Sequence, residues 1–186
     1  MGQRIGAGEF MEEQLDVVIR EAIPDDAESL LKHLSNTALE TGFMTMGEEG
    51  PGITVEEEQE QLAKLYESNN NVLLVALVNN EVIGTASIHG SQSPKLSHIG
   101  EIGIVIAKKY WGFGLGTAMM DEMILWANES SVLKRLELTV QARNQKARNL
   151  YEKLGFTLEA IMPRGVKDNG EYLDVCLMSM MIGEIE

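Results

Sequence analysis

Cysteine is almost missing: Cys176 is the single one in 186 residues. That excludes an internal disulfide and suits a reducing compartment such as the cytoplasm. In its strand-like surroundings Cys176 reads as a small packed hydrophobe rather than a nucleophile. No apolar run reaches the ~18 residues that would cross a bilayer. The N-terminus has no apolar stretch before a small-residue cleavage site, so no secretion signal is expected. The three histidines, His33, His89 and His98, lack zinc-ligand spacing, and no metal is expected. A G-x-S-x-G elbow and a Lys-Ser/Thr pair after glycines are both absent, which removes the serine-hydrolase and P-loop readings.

Positive charge is also scarce. The formal net charge is -14, and residues 1–70 hold 16 Asp/Glu against 4 Lys/Arg. Such a chain is a poor partner for nucleic acid or an anionic membrane, whereas a cationic amine is attracted to it. A local site for a small anion is not excluded.

What is present suffices for one domain: 44% of residues are hydrophobic, enough for a sizeable core at this length. Residues 1–16 are glycine-rich with little pattern and read as a flexible arm ahead of a single domain, 17–186. Periodicity predicts a strand over 17–22 and a helix capped by Asp25 or Asp26, with Leu30, Leu31, Leu34 and Leu39 as its apolar residues. A loop spans 42–52. Thr54 to Glu57 fits a capping box that opens a second helix to about Glu67, with Glu56, Glu57, Glu58 and Glu60 facing solvent. Strands follow over 72–78 and 81–88 around Asn79-Asn80, and over 99–106, where Glu101 interrupts the apolar run. A helix with the stripe Leu115, Met119, Met123 and Trp126, a strand over 135–140 and a helix over 144–154 ended by Gly155 come next. Two strands, 156–162 and 171–182, close the chain around a turn at 168–170. This order predicts an α+β fold with a mixed, mostly antiparallel central sheet flanked by helices. The long closing strand suits a homodimer, because a sheet edge needs cover.

The stretch with most chemical content is Trp111-Gly112-Phe113-Gly114-Leu115-Gly116-Thr117. It leads from a strand into a helix, so orphan N–H groups of the first helical turn and a close-approach glycine backbone share one small space. That concavity suits an anion, phosphate above all; a plain glycine turn is the other reading. Further on, Lys134, Arg135, Arg143, Lys146, Arg148 and Lys153 form the one net-basic stretch. Arg143, Lys146 and Arg148 either meet outlying phosphates or solvate a helix face. Asn144 is placed to cap the helix and can also bond a ligand. Tyr151 falls on the apolar stripe, and its buried hydroxyl needs a partner.

Two motifs carry a family resemblance. Gly114 and Gly116 match the glycines of Arg/Gln-x-x-Gly-x-Gly/Ala, with Trp111 replacing the first residue. Asn144, Ala147, Leu150, Tyr151, Gly155 and Phe156 match Asn-x-x-Ala-x-x-Leu-Tyr-x-x-x-Gly-Phe. The chain resembles the Gcn5-related N-acetyltransferases (GNAT), especially the branch of ribosomal-protein N-terminal acetyltransferases. The resemblance implies an acyl-CoA N-acyltransferase fold whose fourth and fifth strands splay around acetyl-CoA. Ile104, Val105 and Ile106 would then bond the pantetheine arm through their backbone. The N–H groups of Gly112, Phe113, Gly114, Leu115, Gly116 and Thr117 would hold the pyrophosphate, beside Trp111, Lys146 and Arg148. Asn144 would lie near the thioester, Tyr151 would protonate the leaving thiolate, and Glu101 would act as base through water, with Glu137 as the rival. The implied activity is acetyl transfer to a small amine or a protein N-terminal amine; the alternative is a catalytically silent CoA-binding module used for sensing or assembly.

Overall fold

The computed structural model describes residues 3–4, 16–44, 47 and 49–183. Most of the expected N-terminal arm lies outside these residues, but Gln3–Arg4 (β1) pairs antiparallel with Val18 and Ile19. The remaining elements are β2 (Val18–Glu21), α1 (Ala27–Glu40), α2 (Val55–Leu65), β3 (Val72–Val78), β4 (Glu81–Gly90), β5 (Ile99–Ile106), α3 (Leu115–Glu129), β6 (Arg135–Gln141), α4 (Gln145–Lys153), β7 (Thr157–Asp168) and β8 (Glu171–Met181). β7 runs six residues past the predicted strand end, with register shifts between Met162 and Val166 that absorb Pro163.

One sheet holds all the strands in the order β1-β2-β3-β4-β5-β6-β8-β7. Every pairing is antiparallel except β5 with β6. The hairpin turns follow from residue type. Asn79 and Asn80 take φ of 50° and 64°, and Asn169 and Gly170 take 47° and 83°, the left-handed values that a right-twisted two-residue hairpin turn requires. The parallel pair is short: only Ile99, Gly100 and Glu101 align with Arg135, Leu136 and Glu137. Beyond that point the strands part into a wedge. α3 forms the crossover between them, as a parallel connection demands.

The two sheet faces are covered unequally. On one face the even-numbered residues Ile102, Leu136, Leu138, Cys176 and Met178 join Met119, Met120, Met123 and Ala127 of α3 and Tyr151 of α4 in the main core. The predicted α3 stripe is present with Met120 and Ala127 added, because a crossover helix pressed on a sheet buries more than one narrow seam. Met119, Met120 and Met123 are fully buried, so truncating any of them to Ala would cost about 2–5 kcal/mol. On the other face α1 and α2 cover Val75, Leu77 and Val82 in a smaller cluster. Their cover stops short of the second half of the sheet. There Glu101 is exposed, next to Glu137 in the register.

Two expectations need correcting. In α1 the inward face is Leu30, His33 and Thr37, while Leu39 is 64% exposed. The i, i+3, i+7 positions face the sheet whether or not they are apolar, and Thr37 satisfies itself by donating to the His33 carbonyl at 2.9 Å. In α2 the capping box forms, with Glu57 N–H donating to Thr54 Oγ1 at 3.2 Å and Thr54 N–H to Glu57 Oε2 at 2.8 Å. Glu58, however, is only 8% exposed, and burial raises its pKa.

Two pH-dependent outcomes follow from these carboxylates. Glu58 is pushed toward its neutral form, so its charge at pH 7 costs folded-state stability. Glu58→Gln should raise Tm by about 1–3 °C at pH 7 and by nothing measurable below the ordinary carboxylate range, in melts run at both pH values. Glu159 behaves oppositely. Hydrogen bonds from the Arg135 guanidinium at 2.8 Å and from the Ser179 hydroxyl hold its carboxyl at about 2, below the usual 4.5. The stabilisation it gives is complete above 4.5 and lost as pH falls toward 2. Glu159→Gln should flatten that limb of an acid-unfolding curve.

Candidate active site

The wedge between β5 and β6 creates the site. Alternation in an antiparallel pair sends the N–H and C=O of one residue toward its neighbour and those of the next residue away. Ala107 N–H donates to the Ile83 carbonyl at 3.0 Å, and the register continues through Thr85↔Val105. Odd-numbered residues of β5 therefore turn their peptide groups to β4. Even-numbered ones turn them toward β6, as the His98 carbonyl does in accepting Arg135 N–H at 3.1 Å. Past Glu101 that partner strand has gone, so the peptide groups of Ile104 and Ile106 face the open wedge. Val105, expected beside them, directs its peptide to Thr85. Its carbonyl also accepts a 3.3 Å hydrogen bond from Nε2 of His33 on α1. Burial lowers the His33 pKa, which keeps the ring neutral. The Ile106 carbonyl is capped by the Trp111 indole N–H at 2.7 Å. Trp111 thus fastens the start of the glycine loop to the last turn of the strand edge.

Gly112 and Gly114 both take φ of +85°, a conformation that favours glycine. The first α-helical bond of α3 is Ala118 N–H to the Gly114 carbonyl at 3.0 Å. Leu115, Gly116 and Thr117 therefore offer N–H groups without intrahelical partners, at the positive end of the helix dipole. A Cβ at Gly114 would meet nothing within 4 Å, so the cradle is open there. A Cβ at Gly116 would lie 3.2 Å from Leu150 Cδ2 and 3.5 Å from Ile106 Cδ1. That near-contact brings the start of α3, the stripe of α4 and the end of β5 together. Phe113 is exposed beside the loop. Lys146 Nζ lies 5.4 Å from the Trp111 ring centre, at the edge of the cradle. Arg148 donates to the Ala142 carbonyl at 3.2 Å, and among the described residues its buried Nε has no hydrogen-bond partner. A row of open backbone N–H groups at the start of a helix fits a phosphate-bearing ligand.

Tyr151 is placed by α4. Asn144 Oδ1 accepts Ala147 N–H at 3.2 Å and starts the helix. The Tyr151 ring packs edge-on to Phe156 with centres 6.0 Å apart. Burial pushes its hydroxyl up to about 12, so the phenol holds its proton at neutral pH. Among the described residues that hydroxyl makes no hydrogen bond. Glu101 stands at the closed end of the wedge, on the sheet face opposite Tyr151, and it has no ion pair among the described residues. Its rival Glu137 is bound by Arg135 Nε at 3.0 Å.

Sequence reasoning missed His33, Glu40 and Gln141 as parts of this site. Glu40 Oε2 accepts Lys108 N–H at 2.8 Å, beside β5. Gln141 Nε2 donates to the Gly42 carbonyl at 2.8 Å, beside β6. Spacing against Leu30 could have flagged His33; nothing local marks the other two. Among the described residues no His/Cys/Asp/Glu cluster could hold a metal ion, and no helix is long and apolar enough to cross a membrane.

Comparison with known proteins bears on the fold and the family. A solved GNAT-family acetyltransferase from Streptococcus pneumoniae superposes with a TM-score of 0.88 at 41% identity, over 90% of this chain and 100% of that one. L-amino acid N-acetyltransferase AaaT of Escherichia coli (strain K12) is 34% identical over 106 residues, which span 57% of this chain and 65% of AaaT, slightly under two thirds of its length. YdaF of Bacillus subtilis (strain 168), named provisionally as a ribosomal N-acetyltransferase, is 26% identical over 91% of this chain and 93% of its own. The acetyltransferase (GNAT) family model matches residues 30–156, and the chain belongs to that family.

Proposed function

We propose that this protein transfers an acetyl group from acetyl-CoA to a primary amine by direct attack. The observation that carries the reading is the open N–H cradle at the start of α3 beside the unpaired peptide edge of Ile104 and Ile106. Acetyl-CoA supplies an activated thioester. The N–H groups of 112–117, with Lys146 and Arg148, would hold its pyrophosphate, and Ile104 and the Ile106 N–H would align its arm as a strand substitute. Trp111 would keep the loop at the right distance. Asn144, already used as a cap, has its NH₂ left to reach the thioester end.

The protein's own groups divide the proton work by sheet face. Glu101, with Glu137 tied to Arg135, is the carboxylate free to take a proton from the incoming ammonium through water. Tyr151 holds a proton for the departing thiolate on the other side. A C–N bond forms and a C–S bond breaks; the ammonium loses two protons, one through water to Glu101 and on to solvent, and one that offsets the proton Tyr151 gives to the thiolate. Holding amine and thioester aligned supplies most of the acceleration, and the acid adds about 10²–10⁴-fold.

The acceptor is a small amine or a protein N-terminal amine. The names of AaaT and YdaF support the two in turn, so the ribosomal branch is one of two acceptor classes rather than the settled one. The reading includes a cytoplasmic setting, without nucleic acid, membrane or metal. It also includes a homodimer, for which the exposed Leu158 and Ile161 on edge strand β7 offer apolar cover.

Free-thiol release from acetyl-CoA across an amine panel tests the activity. Tight coenzyme binding without release would support the silent-module alternative. Tyr151→Phe should cut kcat by about 10²-fold or more while leaving the acetyl-CoA Kd within about twofold; equal turnover would remove Tyr151 from the chemistry. Gly114→Leu fills the open side of the cradle at a left-handed φ. It should abolish acetyl-CoA binding in calorimetry while the domain stays folded, and unchanged affinity would overturn the pyrophosphate assignment.

A further inference from the structure

The wedge between β5 and β6 is bridged on one face. On the α1 face three consecutive residues span its mouth. Glu40, the last residue of α1, accepts Lys108 N–H on the β5 side at 2.8 Å. Two residues later the Gly42 carbonyl accepts Gln141 Nε2 at 2.8 Å and Arg143 Nη2 at 3.4 Å on the β6 side. The β6 anchor is a closed network. Arg143 Nε donates to Gln141 Oε1 at 2.8 Å, Arg143 Nη2 donates to Asp168 Oδ2 at 2.7 Å at the β7–β8 hairpin tip, and the guanidinium lies 5.6 Å from the Phe43 ring centre. Gln141 is 6% exposed. Its buried amide uses its oxygen on Arg143 and its nitrogen on Gly42. A Cβ at Gly42 would come within 3.0 Å of Asp168 Oδ2 and 3.4 Å of Arg143 Nη2, so a side chain there would push against both ends of that ion pair.

We infer that Gln141, Arg143 and Asp168 are positioning residues that clamp the 40–42 corner across the wedge and so fix the gap through which the acceptor amine reaches the thioester. The inference rests on the acetyl-transfer reading for its catalytic consequence, though not for the clamp itself. The corner lies on the face of Glu101 and Gln141, opposite the cradle, α4 and Tyr151. Loosening it therefore alters the acceptor's approach and leaves the donor's grip unchanged. It also assigns Arg143 a role apart from the outlying phosphates, because its guanidinium is turned to the α1 corner and the hairpin tip.

The full chain carrying Arg143→Ala or Asp168→Asn, with Arg143→Lys as the conservative variant, tests this in two independent measurements. The first is hydrogen exchange of the peptide covering 41–44 in the unliganded protein. Arg143→Ala should speed it about tenfold or more, and unchanged exchange overturns the clamp. The second is steady-state kinetics with free L-amino acids and short peptides bearing a free N-terminus. For whichever acceptor the parent protein uses, KM should rise about fivefold or more in Arg143→Ala, with kcat within about threefold and the acetyl-CoA Kd within about twofold. Arg143→Lys, which keeps the charge facing Asp168, should recover part of the loss. An unchanged acceptor KM overturns the positioning role. So does a parallel loss of kcat, donor affinity and Tm, which would mark a merely structural contact. A parent protein that transfers no acetyl group sinks the acetyl-transfer reading, and exchange alone then decides the clamp.

Discussion

Two strands that begin as partners and then separate set the terms for this whole molecule. β5 and β6 share three register pairs and part after Glu101 and Glu137. A sheet that loses a neighbour leaves backbone polar groups unpaired, and such groups cost free energy unless something meets them. The protein meets a few itself. Trp111 caps the Ile106 carbonyl, and the side chains around Gly42 hold the mouth on the α1 face. What is left is a short edge with strand-like hydrogen-bonding capacity and no strand to use it.

The rest of the architecture supports that edge from two sides. On one face the methionine-rich side of α3 and the stripe of α4 press on the sheet and bring Gly116 against Leu150 and Ile106. The helix start is thereby fixed relative to the strand end, and its N–H groups are aimed beside the wedge instead of into bulk water. On the other face α1 reaches β5 through His33 and Glu40 and reaches β6 through the carbonyl of Gly42. The two faces beside the wedge are thereby built from different parts of the chain.

Electrostatics follow the same division. The acidic excess sits mostly in the first 70 residues, which supply α1 and α2. The cradle face has Lys146 and Arg148. On the cradle side burial pushes the Tyr151 hydroxyl up to about 12, while the exposed Glu101 carboxylate lies on the opposite face of the sheet.

Much of this was legible in the chain. The two hairpins were written in Asn79-Asn80 and Asn169-Gly170, since few residues accept left-handed φ. The α3 start was written in Gly112, Gly114 and Gly116, and the α4 start in Asn144, because capping and glycine conformations are local properties. The sheet class followed from element order. Local pattern failed where a partner from far along the chain decides the outcome. His33 and Thr37 face inward because β5 lies beneath them, and Glu58 is buried although its neighbours are solvated. In the sequence Gln141 falls just past a strand and Arg143 belongs to a basic stretch, and only folding brings them to Gly42, about one hundred residues earlier. The parity of β5, which turns Ile104 and Ile106 to the wedge and Val105 away, depends on a register with β4 that no single strand encodes. Short-range geometry belongs to the sequence; which peptide groups stay unpaired is decided by which strands meet.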